Sequence, residues 1–155
     1  MKLHKVYGTD PTLETEGVWV NFGDGGEIKV GRYGNPKHKA ALERLRRPYR
    51  SFELSGRPLP DDVAERIMLE GLAEGIVFEW RGIEDESGLI QFSKQNVIKT
   101  LSRVEFRDFR NDILAASMSM ETFRKQELED AAKNSGNTSA GNIDTAVVEK
   151  STPIG

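Results

Sequence analysis

The densest run of apolar residues lies between Asp61 and Leu101, and its spacing predicts the centre of the fold. The first apolar positions recur at steps of four or five, which places them on one helical face: Val63, Ile67, Leu72 and Ile76. Asp62 is followed three residues later by Glu65, the spacing of a capping box. We therefore predict a single helix over residues 62–80.

The end of that segment also permits a second interpretation. Residues 76–80 are rich in β-branched and aromatic side chains, which favour a strand. Only Gly75 separates this run from the helix, so continuation of the helix is favoured and the strand is the alternative. Trp80 follows Ile76 at helical spacing and is therefore expected to be largely buried.

Two β-rich runs around a glycine-dense turn predict a hairpin near the N-terminus. Val18–Phe22 and Glu27–Tyr33 flank Gly23–Gly26, which is the pattern of two antiparallel strands. An isolated hairpin is marginally stable, so its apolar face must pack on the helices. Residues 1–16 are more polar and are expected to form an N-terminal arm.

Capping residues predict two further helices. Asn35 before Pro36 suits an N-cap followed by proline in the first turn, giving a helix over 36–47 that Pro48 ends. Ser93 caps a helix over 94–101. The segment from Lys37 to Arg50 contains six Lys or Arg residues and one acid, a local net charge of +5. A solvated or acid-paired face is the favoured interpretation of this charge.

A last long helix is predicted over residues 105–133, with a capping-box spacing between Ser102 and Glu105. Its apolar residues step alternately by three and four: Phe106, Phe109, Ile113, Ala116, Met120 and Phe123. Packing within the chain is favoured for this stripe over a dimer seam. Residues 135–155 are polar, with too few apolar side chains to pack, and a disordered tail is predicted.

These elements predict an α+β fold that is mainly α. The N-terminal β-hairpin packs on a helical domain of about four helices within residues 17–134, between the arm and the disordered C-terminal tail. A chain of 155 residues is long enough to bury one core without staples.

Composition narrows the function classes. The chain has no cysteine, so disulfides and thiolate metal sites are excluded. No apolar run is long enough for a membrane span or a signal peptide, which predicts a cytoplasmic protein without a membrane partner. The net charge of −3 argues against a dedicated nucleic-acid binder, although the basic segment keeps a small regulatory binder as a third candidate.

No pattern in the chain predicts catalysis, a cofactor or a metal. The only histidines are His4 and His38, and no zinc-binding spacing joins them. The loop Ile83–Lys94 imitates part of an EF-hand, but its first and twelfth positions lack carboxylates. We therefore predict a non-enzymatic protein.

Several short segments, taken in order, resemble the tail assembly chaperones of long-tailed, non-contractile bacteriophages. The likeness runs from about residue 17 to 134 and depends on the order and spacing of these pieces. They are Gly17-Val18-Trp19, Gly34-Asn35-Pro36, Leu45-Arg46-Arg47-Pro48-Tyr49-Arg50, Trp80-Arg81-Gly82-Ile83, Asp85-Glu86-Ser87-Gly88 and Phe92-Ser93.

The resemblance implies a largely helical protein that binds the tape measure protein, and through it assists the tail tube protein to assemble. It further implies location in the host cytoplasm and absence from the mature virion, and self-association into a homo-oligomer would protect exposed apolar grooves. The alternative is a structural virion protein, such as a tail or head–tail joining component. The partner-binding residues expected from the stripe and the basic flank are Phe106, Phe109, Ile113, Met120, Phe123, Arg46, Arg47 and Arg50.

Overall fold

A computed structural model describes residues 1–124 and confirms a mainly α, α+β fold. The helices are α1 (Leu3–Tyr7), α2 (Pro11–Glu16), α3 (Pro36–Arg46), α4 (Arg50–Leu54), α5 (Asp61–Gly75), α6 (Lys94–Leu101) and α7 (Arg107–Met118). The strands are β1 (Val18–Gly23), β2 (Gly26–Val30), β3 (Val77–Arg81), β4 (Glu84–Asp85) and β5 (Gly88–Leu89). Single 3₁₀ turns lie at Arg47–Tyr49, Val104–Phe106 and Met120–Phe123. The tail predicted over 135–155 lies outside the described residues.

The hairpin is formed as predicted. Strands β1 and β2 pair antiparallel, with Val18 opposite Val30 and Val20 opposite Ile28. Asp24 and Gly25 both have positive φ, 50° and 82°, which is the geometry of a type I′ turn. The apolar faces of both strands therefore point to the same side, toward the helices.

The prediction of one helix over 62–80 is wrong in its second half. Helix α5 ends at Gly75, and residues 77–81 form β3, which pairs antiparallel with β2 in a sheet of order β1-β2-β3. The edge of β2 supplies backbone partners that the local sequence does not reveal, with Ile28 opposite Trp80. Trp80 is 4% exposed, so its predicted burial is confirmed although it lies on a strand.

The start of α5 also differs in detail from the prediction. The helix begins at Asp61 with Pro60 as its N-cap residue, and no side chain caps it, so the expected capping box at Asp62 does not form. By contrast the Ser93 cap of α6 is confirmed, since its hydroxyl oxygen accepts from the Asn96 N–H at 3.0 Å.

One core lies between the sheet and helices α5, α6 and α7. Its fully buried side chains come from every one of these elements, which ties them into one cooperative unit. They are Ile28, Val30, Leu69, Leu72, Ala73, Ile76, Val77, Trp80, Ile83, Val97, Leu101, Ile113 and Phe123.

Helices α3 and α5 are antiparallel and approach very closely at one end. A Cβ atom on Gly75 would lie 2.3 Å from the His38 Cα, so only glycine allows the backbones to meet there. One turn earlier, a Cβ on Gly71 would lie 2.8 Å from a terminal methyl of Leu42. The two glycines therefore form a shallow seat for α3.

Asn35 fastens the same end through its side chain, which is 4% exposed. The amide oxygen caps α3 by accepting from the N–H groups of Lys37 at 2.8 Å and His38 at 3.2 Å, as predicted. The amide nitrogen donates to the carbonyl of Gly75 and to that of Arg32, each at 2.7 Å. One buried side chain thus joins the start of α3 to the end of α5.

The long helix expected over 105–133 is interrupted. Helix α7 ends at Met118, Ser119 is extended, and a 3₁₀ turn brings Phe123 into the core at 0% exposure. The Asp10 N–H donates to the Phe123 carbonyl at 2.8 Å, which fixes this turn. The predicted capping box is also wrong, since the Ser102 hydroxyl donates to the Lys99 carbonyl instead. Residues 125–133 of the expected helix lie outside the described residues.

Candidate partner-binding cavity

An open apolar cavity of about 130 Å³ lies between α3 and α5. It extends from His38, beside the glycine seat, to Arg46 at the other end of α3. Side chains of both helices form its walls, and one residue of α7 closes its far side. The lining residues are Tyr33, His38, Leu42, Arg46, Leu59, Ala64, Ile67, Met68, Leu72 and Leu114.

His38 forms the polar floor of this cavity, and the residue is 2% exposed. Its Nδ1 accepts from the Gly34 N–H at 3.0 Å, so in the neutral ring the proton is on Nε2. Within residues 1–124 no acceptor is bonded to this Nε2. The Tyr33 ring packs edge-on at 4.6 Å between centroids and fixes the imidazole plane.

Burial lowers the pKa of His38, and the positive charge of Arg46 lowers it further. Both residues line the cavity. The two groups therefore give the cavity a pair of N–H donors, one neutral and buried, the other cationic and at the rim. No acidic side chain lines the cavity.

The basic flank is exposed as expected, and its members are not equally paired. Arg44 is held by Glu74, while Arg47 lies 3.9 Å from Glu43 in a marginal contact. Arg46 and Arg50 form no ion pair within the described part of the chain. Of the expected site residues, Arg46 alone reaches the cavity.

The apolar stripe is divided between interior and surface. Ile113 and Phe123 are fully buried, and the Phe109 ring packs edge-on against Phe22 at 6.0 Å between centroids. Phe106 is half-buried beneath the Arg103 guanidinium at 4.5 Å, and Met120 is also half-buried. The structure therefore does not bring the stripe together on one accessible surface.

Sequence reasoning missed two residues of α7. Leu114 lines the cavity, and Met118 lies one turn further along the helix with half of its surface exposed. The Tyr33 N–H donates to the Ser117 carbonyl at 2.9 Å, which holds this end of α7 beside the cavity mouth. The four-residue spacing of Leu114 and Met118 was a detectable signal, but the heptad-like stripe beside it was the longer pattern.

Glu74 ties the cavity-forming helices to the rest of the fold. Its carboxylate accepts from Arg44 of α3 at 2.5 and 2.6 Å and also pairs with Lys94 of α6. The hydrogen bond from Arg44 is the main reason that the pKa of Glu74 lies below its usual value. Three helices thus meet at one partly buried charge.

Among residues 1–124, no group of three or more His, Asp or Glu side chains has an arrangement suited to a metal ion. In the same residues, no helix combines the length and the apolar character that crossing a bilayer requires.

Residues 33–134 match the family described as YdaY prophage protein, which covers about two thirds of the chain. The chain therefore belongs to this family and is phage-derived. The matched range includes every residue that lines the cavity. No curated protein and no solved structure matched the chain. The match confirms the phage origin implied by the resemblance and does not extend to tail assembly or to the tape measure protein.

Proposed function

We propose that this prophage protein is a non-enzymatic tail assembly chaperone that binds a helical segment of the tape measure protein and promotes assembly of the tail tube around it. The observation that carries the proposal is the apolar cavity between α3 and α5, which is open to solvent and bordered by Arg46, a cation without an ion pair among residues 1–124. Its place of action is the host cytoplasm, and it leaves the tail before the virion is complete.

The shape and chemistry of the cavity support a helical client. An amphipathic helix binds a groove by inserting large apolar side chains at intervals of one turn, and polar residues at the rim set its orientation. Leu114 and Met118 continue the apolar lining along α7 beyond the cavity itself. The thioether of Met118 adapts to different side chains, which suits a client with many similar segments.

The cavity and its rim are a better contact surface than the stripe first expected. Ile113 and Phe123 are fully buried, so a client reaches them only if the core opens. Arg46 remains in the proposed interface, with Arg47 and Arg50 close by on the same exposed flank. The client surface therefore combines the predicted basic flank with the outward side of α7.

Co-expression with the tape measure protein of the same prophage tests this proposal. The wild-type chain should copurify with the client, whereas Met118→Glu should reduce recovery because it places a charge at the apolar mouth. Val104→Glu is the matched control, because Val104 is 68% exposed and lies outside the cavity. Equal recovery with both variants, in folded protein, would show that this surface is not the client site.

The basic flank is tested by association kinetics. Arg46→Glu combined with Arg47→Glu should slow client binding and reduce its dependence on salt, since exposed rim charges act mainly on the association rate. The free energy of unfolding should change little, because neither side chain is buried. An unchanged association rate at low salt would remove the flank from the proposal.

Mass spectrometry of purified particles separates the chaperone from the alternative, a structural tail or head–tail joining protein. The chaperone should be present in infected or induced cells and missing from finished particles. Stoichiometric recovery from particles would favour the structural protein.

A further inference from the structure

Two side chains of the cavity, His38 and Arg46, offer hydrogen-bond donors, and this limits what can occupy the space between them. The His38 imidazole has its Nδ1 occupied by the Gly34 N–H, which leaves Nε2–H as a donor without a partner among residues 1–124. Arg46 adds a guanidinium at the rim. A ligand that fills the apolar volume must therefore supply an acceptor, because an unpaired buried donor is costly.

Charge complementarity selects the acceptor. The lining residues include the Arg46 cation and no carboxylate. Arg46 has no acidic partner in the described residues, in contrast to Arg44, which is fully engaged by Glu74. A carboxylate placed between His38 and Arg46 would receive two hydrogen bonds, one of them charge-assisted.

We propose that the cavity recognises a partner helix through one large apolar side chain and one carboxylate about a single helical turn away from it. The apolar side chain enters between Leu42, Ile67 and Leu114, and the carboxylate accepts from His38 Nε2–H and from Arg46. The choice of a polypeptide partner rests on the proposed function, whereas the apolar-plus-carboxylate chemistry rests on the cavity alone.

The volume agrees with this occupant. About 130 Å³ accommodates one apolar side chain and not an extended small molecule of drug size, for which sites are typically about 300–1,000 Å³. The ring of His38 is already oriented by Gly34 and Tyr33, so little ordering is required when the acceptor arrives. The cavity thus has the features of a pocket for a single anchor residue on a larger partner.

The direct test uses alanine-based helical peptides and the full chain labelled with ¹⁵N. One peptide carries Phe with Glu four residues later, and a second carries the same pair in the reverse order. Their controls replace Glu by Gln or Phe by Ala. Titrations are followed by the backbone amides of the cavity and by the His38 Nε2–H resonance.

We expect at least one Phe/Glu peptide to shift the cavity resonances and to bind roughly five- to tenfold more tightly than its Gln counterpart, as a charge-assisted bond predicts. Arg46→Gln should remove this difference. Arg50→Gln is the matched control, because Arg50 is equally exposed and does not line the cavity, and it should preserve the difference.

Several outcomes would overturn the inference. Equal binding of the Glu and Gln peptides would show that the cavity does not recognise a carboxylate. An equal effect of Arg46→Gln and Arg50→Gln would show that the preference for Glu is general charge attraction. Shifts confined to another surface would place the site elsewhere. If 3-phenylpropionate alone binds as tightly as the peptides, the ligand is a small carboxylic acid and the polypeptide partner is wrong.

Capture of the tape measure protein distinguishes this inference from the proposed function. If wild-type and Arg46→Gln chains capture the tape measure protein equally, the result supports the proposed chaperone function and contradicts recognition of a carboxylate by the cavity. If the peptides bind as expected while the client is not captured, the cavity chemistry stands and the client is a different protein.

Discussion

The two ends of the α3–α5 pair are built in opposite ways. At the closed end, where Gly75 meets His38, the backbones touch so closely that a single methyl group has no room. At the open end, Arg46 and Ala64 lie across a cavity of about 130 Å³. The same two helices therefore change from backbone contact to a solvent-accessible gap along their length.

This difference shows how a rigid frame supports a binding site. The closed end is fastened by Asn35, whose amide bonds to both Gly75 and Arg32, and the neighbouring His38 is held by the same helix start. The His38 donor is thus carried by the closed end, whereas the Arg46 donor lies at the open end.

The largest expected effect comes from filling the closed end. Gly75→Ala should lower the free energy of unfolding by about 3 kcal/mol, because its Cβ meets the His38 backbone and overpacking of this kind cannot relax through a side chain. Helix propensity alone would favour alanine by roughly 1 kcal/mol, so the sign of the change is diagnostic. Urea unfolding followed by circular dichroism measures it.

Gly71→Ala is the control for this prediction. Its Cβ approaches a terminal methyl of Leu42, which can rotate away, so the loss should be much smaller. Similar losses for the two variants would show that the pair is not closed at Gly75 in the manner described.

Removing the Asn35 side chain at the closed end should have the next largest effect on the free energy of unfolding. Asn35→Ala should cost about 2–3 kcal/mol, because it removes a helix cap and leaves the Gly75 carbonyl without its buried donor, although the Arg32 carbonyl keeps its bond from the residue 35 backbone N–H. Asp10→Ala supplies the comparison, since the Asp10 side chain caps α2 through one bond from the Thr12 N–H and contacts no second element by a hydrogen bond, and the variant keeps the backbone bond to Phe123. Equal losses in urea unfolding would contradict the role of Asn35 as a tie between helices.

The open end of the α3–α5 pair should tolerate a larger side chain, which the closed end cannot accommodate. Ala64→Leu adds three carbons at the cavity, and the free energy of unfolding should stay within about 1 kcal/mol of wild type, in the range of a cavity-filling change. The same variant should weaken client capture, because its side chain occupies the anchor volume. A large loss of stability would mean that the cavity is not accessible space, and undiminished capture would mean that it is not the client site.

The smallest expected effect is the pH dependence contributed by His38. Its pKa is lowered in the fold by burial, so between the folded and unfolded pKa values the unfolded chain binds the proton more readily. Stability from this group is present above the unfolded pKa and is lost as pH falls toward the folded pKa. Unfolding measured between about pH 7.5 and 5.5 should show this decline.

His38→Asn preserves an acceptor for the Gly34 N–H and removes the titration, so its stability should depend less on pH across this range. His4→Asn is the control, because His4 is exposed on α1 and should leave the decline unchanged. If the free energy of unfolding depends on pH in the same way in the wild type and in His38→Asn, protonation of His38 does not contribute to the pH dependence of stability.

The candidate site illustrates what periodicity can and cannot predict. The heptad-like stripe correctly identified α7 as an apolar helix, yet Ile113 and Phe123 lie in the core. Leu114, which lines the cavity, and Met118, one turn later, lie on a neighbouring face of the same helix. Spacing shows which residues share a face, whereas which face is buried depends on the elements that pack against it.

Several local signals were sufficient, although the capping boxes expected at Asp62 and Ser102 do not form. The Asp24-Gly25 turn needs positive φ at both positions, so the hairpin follows from the sequence. Asn35 before Pro36 and Ser93 before α6 supply acceptors to nearby N–H groups, and both helix starts were predicted correctly. These features depend on residues within a few positions of one another.

Three features depend on tertiary contacts and could not be predicted from the sequence. They are the strand conformation of residues 77–81, the end of α7 at Met118 and the cavity. Val77–Arg81 becomes a strand because β2 offers its free edge, and α7 stops at Met118 because Phe123 must turn into the core. The cavity is lined by residues of α3, α5 and α7 together, so no single segment of the sequence predicts it.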